Sequence, residues 1–167
     1  MAATVRINEY NGAGATETGG ITNTNMGSTD AVNLDPVAFP ITNGNNSYEK
    51  WQKFEVTAMG GSSSINNLQV WRTTALGANC THLTNARTSS YGGAASFTTP
   101  TASASAVATQ TMPSSDPGAA NLGIAGSLAG SLTATGKSDY LVMQLQTTAS
   151  ATAGATMTMN YQYDETA

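Results

Sequence analysis

Ser138-Asp-Tyr-Leu-Val-Met-Gln-Leu-Gln-Thr147 and Ala155-Thr-Met-Thr-Met-Asn-Tyr-Gln-Tyr163 decide the fold class. In the first run Leu141, Met143 and Leu145 alternate with Val142, Gln144 and Gln146. In the second, Met157, Met159, Tyr161 and Tyr163 alternate with Thr158, Asn160 and Gln162. Alternation with period two marks half-buried β-strands. The small residues Thr148–Ala155 between them predict a hairpin connection. Fixing roughly twenty residues costs about 1–2 kcal/mol each. Burying the apolar side chains of this pair returns on the order of 10–20 kcal/mol in all. Two strands alone therefore do not hold, and a second layer must cover them.

Working outward, Ser47–Met59 supplies a further strand, with Phe54, Val56 and Ala58 on one face and Lys53, Glu55 and Thr57 on the other. Trp51 stands out of this phase, which predicts a bulge or a ring covering the end of the sheet. Gly60-Gly61-Ser-Ser-Ser64 reads as a turn, and Ile65–Thr73 returns with Leu68 and Val70 in phase. This second hairpin is the expected lid for the first. Thr4–Tyr10 is a short strand, alternating Val5 and Ile7 with Arg6 and Asn8. Asn11–Asn46 is rich in Gly, Asn and Thr, and Pro36 and Pro40 keep it out of helix and out of a central strand. It reads as an extended arm with one or two short strands at most. Ala94–Thr99 and Ala106–Thr111 are expected short strands. Ser115-Asp116-Pro117 carries the signature of a helix start that Gly123 would end.

The expected architecture is all-β: a two-layer antiparallel β-sandwich, Ig-like or jelly-roll-like, with an extended N-terminal arm. Residues 1–46 form the strand and arm, and 47–167 form the sandwich. The expected core is Phe54, Val56, Leu68, Val70, Leu141, Met143, Leu145, Met157, Met159 and Tyr161.

Composition narrows the function by exclusion. The 167 residues include only 10% charged side chains and carry a net charge of −4, against about 25% charged residues in ordinary globular chains. Protein interfaces are depleted in Lys and Glu, and strand edges are usually guarded by Lys or Pro; this chain has three Lys. The basic residues are scattered, without the clusters that grip a phosphate backbone. One cysteine, Cys80, forms no internal disulfide. The N-terminus lacks an apolar signal core, and no apolar run approaches the roughly 20 residues of a membrane span. Gly136-Lys137-Ser138 matches the tail of a phosphate-binding loop. Ser131 replaces its first Gly and a strand follows in place of a helix, so it reads as a turn. Cys80 and His82 lack an orienting third group and further metal ligands. Asp30, Asn33 and Asp35 depart from a calcium loop and read as turn residues. Trp51, Trp71, Tyr48 and Tyr91 fit core or sheet-end roles better than a sugar platform. No catalytic, cofactor or metal residue is expected, and an enzyme is the least expected class.

Asn46-Ser-Tyr-Glu-Lys-Trp51, Ile65-Asn-Asn-Leu-Gln-Val-Trp71, Ser138-Asp-Tyr-Leu-Val-Met-Gln-Leu145 and Tyr161-Gln-Tyr-Asp-Glu165 follow one another in an order and style that resembles the small β-sandwich virion proteins of tailed bacteriophages. The similarity spans roughly Asn45 to Glu165. It implies a non-enzymatic, many-copy particle component without cofactor, nucleic acid, membrane or small-molecule substrate, assembled in the bacterial host cytoplasm. Within that group a head decoration (cement) protein is expected, clamping the major capsid protein or neighbouring virion subunits, and itself a homo-oligomer. A neck or tail component is the alternative, followed by a host-receptor or glycan-binding module. The expected contact residues are Val5, Ile7, Ile21, Met26, Val37 and Phe39, presented by the N-terminal strand and arm.

Overall fold

The computed structural model describes residues 1–105, 110–152 and 156–167. The strands, in chain order, are β1 (Thr4–Glu9), β2 (Thr18–Gly19), β3 (Lys50–Ala58), β4 (Ser64–Thr73), β5 (Cys80–Thr84), β6 (Gln110–Thr111), β7 (Gly136–Lys137), β8 (Leu141–Thr147) and β9 (Thr158–Thr166). They form two antiparallel sheets. The larger runs β2-β1-β3-β8-β5-β6, with β7 also on β3, and the smaller holds β4 and β9 alone. The protein is an all-β sandwich.

β1, β3, β4, β8 and β9 lie where the alternation places them, but their pairing differs from the expected hairpins. β3 pairs with β8 (Trp51 opposite Val142) and β4 pairs with β9 (Val70 opposite Tyr161). Each expected hairpin is instead split, one strand to each sheet. Alternation reports which face of a strand is buried and says nothing of its neighbour. The β3–β4 connection turns through Gly60, whose φ of 61° suits glycine. A side chain there would stand 2.3 Å from the Met1 carbonyl oxygen.

Between the sheets the core gathers Phe54, Val56, Ile65, Leu68, Val70, Met112, Leu122, Ile124, Leu141 and Met143, with Met159, Tyr161 and Tyr163 packed against it. Of the expected core, Leu145 and Met157 are only half-buried. Trp51 makes no bulge. β3 runs in regular register there, and the indole is buried on the outer face of the larger sheet with Tyr10 and Val142, under Phe97 and Tyr140. Its ring meets Tyr140 edge-on, with centroids 5.4 Å apart. Both faces of this sheet are therefore covered, which is why an aromatic residue sits out of the inward phase.

Several sequence expectations change. Ala94–Thr99 gives no strand; a one-turn helix, α1 (Gly93–Ser96), stands there and leads Phe97 onto Trp51. No helix follows Ser115. Asp116 closes a turn instead by accepting the Gly118 N–H at 2.7 Å, an Asx turn competing with the N-cap. Of the expected Ala106–Thr111 strand, Gln110–Thr111 forms β6; residues 106–109 lie outside the described residues. Gly136-Lys137 is a short strand on β3, not a turn.

Asparagine side chains close the sheet edges. The Asn121 carboxamide takes the Val70 N–H and gives its own N–H to the Val70 carbonyl, both at 2.8 Å. Asn85 accepts from Val142 N at 2.9 Å and donates to the Tyr140 carbonyl at 2.8 Å. Asn11 does the same for Trp51 N and the Glu49 carbonyl. All three are buried. A carboxamide carries one acceptor and one donor side by side, as a peptide group does, so each extends a ladder by one unit without further chain.

Candidate interaction cleft

The arm expected to leave the body lies along it. β1 is not free: it sits between β2 and β3, with Val5 opposite Val56 and Ile7 opposite Phe54. Burying Val5 and Ile7 against the core satisfies the alternation within the chain itself. Beyond β2, Ile21 N bonds the Ile7 carbonyl at 3.0 Å, and Tyr48 N bonds the Gly27 carbonyl at 2.9 Å. Asp30 accepts from Asn11 and from Gly12 N. Lys50 Nζ donates to the Ala31 carbonyl at 2.6 Å and to Glu9 at 2.7 Å. This last ion pair is buried, and desolvation raises the Glu9 carboxyl against the lowering pull of Lys50. The loop is closed by Ser28 N to the Phe39 carbonyl at 3.0 Å and anchored by buried Leu34. Asp35 serves a turn, accepting the Val37 N–H, whereas Asp30 is not a turn residue but ties the arm to Asn11 and Gly12.

Between this arm and the sandwich lies a cleft of about 840 Å³. One side is formed by Ile21–Met26, with Pro36, Val37, Pro40 and Ile41 farther along the arm. Met157, just before β9, and Thr158, Met159 and Tyr161 on β9 line it, with Ile7, Leu145 and His82 from the larger sheet. Gln52 ties the two sides together, accepting from the Tyr161 hydroxyl at 2.6 Å and donating to Thr24 Oγ1 at 3.0 Å. Among the described residues the lining holds no Asp, Glu, Lys or Arg. Leu145, on the larger sheet, and Met157, just before β9, both line this cleft. This is why Leu145 and Met157 are half-buried.

Of the six expected contact residues, the structure brings Ile7, Ile21, Met26 and Val37 to this cleft. Val37 is 87% exposed and Phe39 45% exposed, the latter outside the lining, while Val5 packs into the core. Sequence reasoning missed β5. Cys80, His82 and Thr84 alternate with Thr81 and Leu83, and that period was the available signal. β5 pairs with β8 (His82 opposite Leu145), which puts His82 on the inner face. Its side chain is fully buried, and neither Nδ1 nor Nε2 has a hydrogen-bond partner. Burial, with Arg72 nearby, pushes the imidazole down to about 4, so it is neutral at physiological pH. Cys80, at the start of the same strand, is only partly covered.

The acid–base groups elsewhere are engaged with one another. Glu17 binds Lys137, accepts from Asn8 at 2.8 Å and accepts the Tyr10 hydroxyl at 2.8 Å. Arg6 pairs with Glu55 at 2.5 Å. Lys137 holds the Glu17 carboxyl below its ordinary range. Lys53 lies 4.1 Å over the Tyr140 ring. The four aromatics considered as a sugar platform are dispersed: Trp51 is buried, and Tyr91 is tied to Asp139 at 3.1 Å. Among the described residues no three His, Cys, Asp or Glu side chains converge as a metal site, and no helix is long and apolar enough to cross a membrane. Comparison of the chain with protein-family models, curated proteins and solved structures gives no match, so its function is argued from the cleft and its surroundings.

Proposed function

We propose that this protein is a structural subunit of a tailed-bacteriophage virion, foremost a head decoration protein that docks on the major capsid lattice through the cleft. The supporting observation is the cleft itself: lined by apolar, Thr and Asn side chains, without a charged residue among its described lining, and including the exposed Val37. Exposed apolar surface rimmed by polar residues marks interaction sites on soluble proteins. The resemblance of residues 45–165 to virion sandwich proteins directs the proposal to a particle, and the sparse surface charge suits a subunit that lies against others. Many weak, symmetric contacts then add through multivalency.

Deleting residues 1–11 is not a clean test, because it removes β1 from the middle of a sheet. The direct test adds purified protein back to virions grown without it and counts copies by quantitative mass spectrometry. Wild-type protein is expected to load to roughly hundreds of copies, whereas about six to twelve would assign it to a neck ring. Ile21→Glu, which puts a carboxylate into the cleft, is expected to lower occupancy at least ~10-fold at unchanged melting temperature, since an unpaired buried charge costs well over the ~1.4 kcal/mol of one decade. Equal loading of the variant would refute docking through the cleft.

A further inference from the structure

The unpaired edge of β9 specifies what enters the cleft. In an antiparallel ladder, opposed residues either exchange both backbone bonds or turn both sets away from each other. On β4, Ile65 exchanges bonds with Leu132 at 2.9 and 2.8 Å, Val70 with the Asn121 carboxamide, and Arg72 N bonds the Pro113 carbonyl at 2.9 Å. These three residues therefore face away from β9. Their partners on β9 are Glu165, Tyr161 and Met159, whose N–H and C=O groups must point away from β4. Among the described residues no backbone hydrogen bond reaches them. Neither Lys nor Pro guards β9, although natural edge strands carry such residues against stray pairing.

Met159 and Tyr161 line the cleft, and the arm residues Ile21–Met26 line it across Gln52. A strand within a sandwich takes about 4.8 Å by 10 Å by 3.4 Å per residue, roughly 160 Å³. The cleft's 840 Å³ therefore holds about five residues of a single extended chain. His82 borders the same space, but both its nitrogens are buried and unpartnered, so it adds a neutral wall and not a polar contact for an entering group.

We propose that the cleft is a strand-acceptor slot: an extended, uncharged segment of about five residues, apolar at alternate positions, from a neighbouring protein subunit adds to β9 through the backbone of Met159 and Tyr161. This rests on the cleft being the docking surface. The lining without charge sets the chemistry, because a Lys or Asp side chain entering it would be desolvated without a counter-ion.

The test uses the full chain, ¹⁵N-labelled, and a capped hexapeptide alternating Thr and Val as the probe. Binding is expected to slow amide exchange at Met159 and Tyr161 at least ~10-fold, one decade being ~1.4 kcal/mol. N-methylating the peptide along its bonding edge, or replacing two of its Val by Lys, is expected to abolish the effect. Met159→Pro removes an outward N–H and no β4 bond, so it is expected to fold, to lose peptide binding, and to lose particle loading. Unchanged exchange with peptide, or equal binding of the Lys peptide, overturns the slot. Protection of Met159 without peptide in a self-associated sample overturns the partner assignment in favour of a second copy. Normal loading of Met159→Pro on particles refutes the slot while docking stands. Peptide binding without any particle loading refutes the virion role while the slot stands.

Discussion

Asn121→Ala removes two buried hydrogen bonds and little else. The backbone bonds of residue 121 to Leu68 and Arg87 are kept, so the loop stays anchored. What is lost is the carboxamide that satisfies both the N–H and the C=O of Val70, a residue with no exposed surface. Each orphaned buried group costs about 1–3 kcal/mol, so the variant is expected to lose about 2–6 kcal/mol. For a domain of this size each kcal/mol moves the melting temperature by roughly 2–4 °C, and a loss of about 3 kcal/mol lowers it by roughly 6–12 °C. Urea unfolding followed by Trp fluorescence, with calorimetry in parallel, measures it. Asn121→Asp is the informative control. It keeps the acceptor for Val70 N but turns a carboxylate toward the Val70 carbonyl, and burial raises that carboxyl in the folded state. Its deficit is therefore largest at neutral pH and shrinks on acidification, when the protonated acid can donate. A loss below about 0.5 kcal/mol in Asn121→Ala would refute the reading of these asparagines as edge closures.

Three further outcomes follow from the same structure. Lys50→Met leaves Glu9 buried without its cation and is expected to cost about 3–5 kcal/mol, whereas the double variant with Glu9→Leu recovers most of it; a double-mutant cycle by urea unfolding reads this. His82 has a folded-state pKa of about 4 against 6.5 in the unfolded chain, so the unfolded state binds the extra proton between them. Its contribution is fully present above pH 6.5 and lost as pH falls toward 4, on the order of 3 kcal/mol, and His82→Leu is expected to flatten the stability–pH curve over that window. Gly60→Ala combines a left-handed φ with a Cβ 2.3 Å from the Met1 carbonyl oxygen. It is expected to detach the N-terminus from the β3–β4 turn, seen as faster amide exchange at Gly61, whose N–H bonds the Met1 carbonyl at 2.6 Å.

Strand positions were legible because alternation is a local signal: Phe54, Val56, Leu68, Val70, Leu141 and Met143 all reach the core. Pairing was not legible, because Leu141 presents the same inward face whether it neighbours β9 or β3. Trp51 misled for a related reason. An inward-phase argument assumes one buried face, and this sheet buries both. The Asn-rich loops carried a polar signal that conceals three ladder extensions, since nothing in sequence separates a carboxamide facing water from one facing a strand edge. For the cleft, Ile7, Ile21, Met26 and Val37 stood out as apolar residues on thinly guarded chain. His82 did not, because β5 is five residues long with only Leu83 as a strong apolar mark.

The most direct measurement is three-dimensional imaging of virions with and without this chain, at a resolution that traces backbone. The account predicts added density on the particle that fits the two-sheet sandwich, with an extended segment of a neighbouring subunit lying in the cleft alongside Met159 and Tyr161. Particles identical in the two preparations, or a bound sandwich whose cleft opens to solvent, would contradict it.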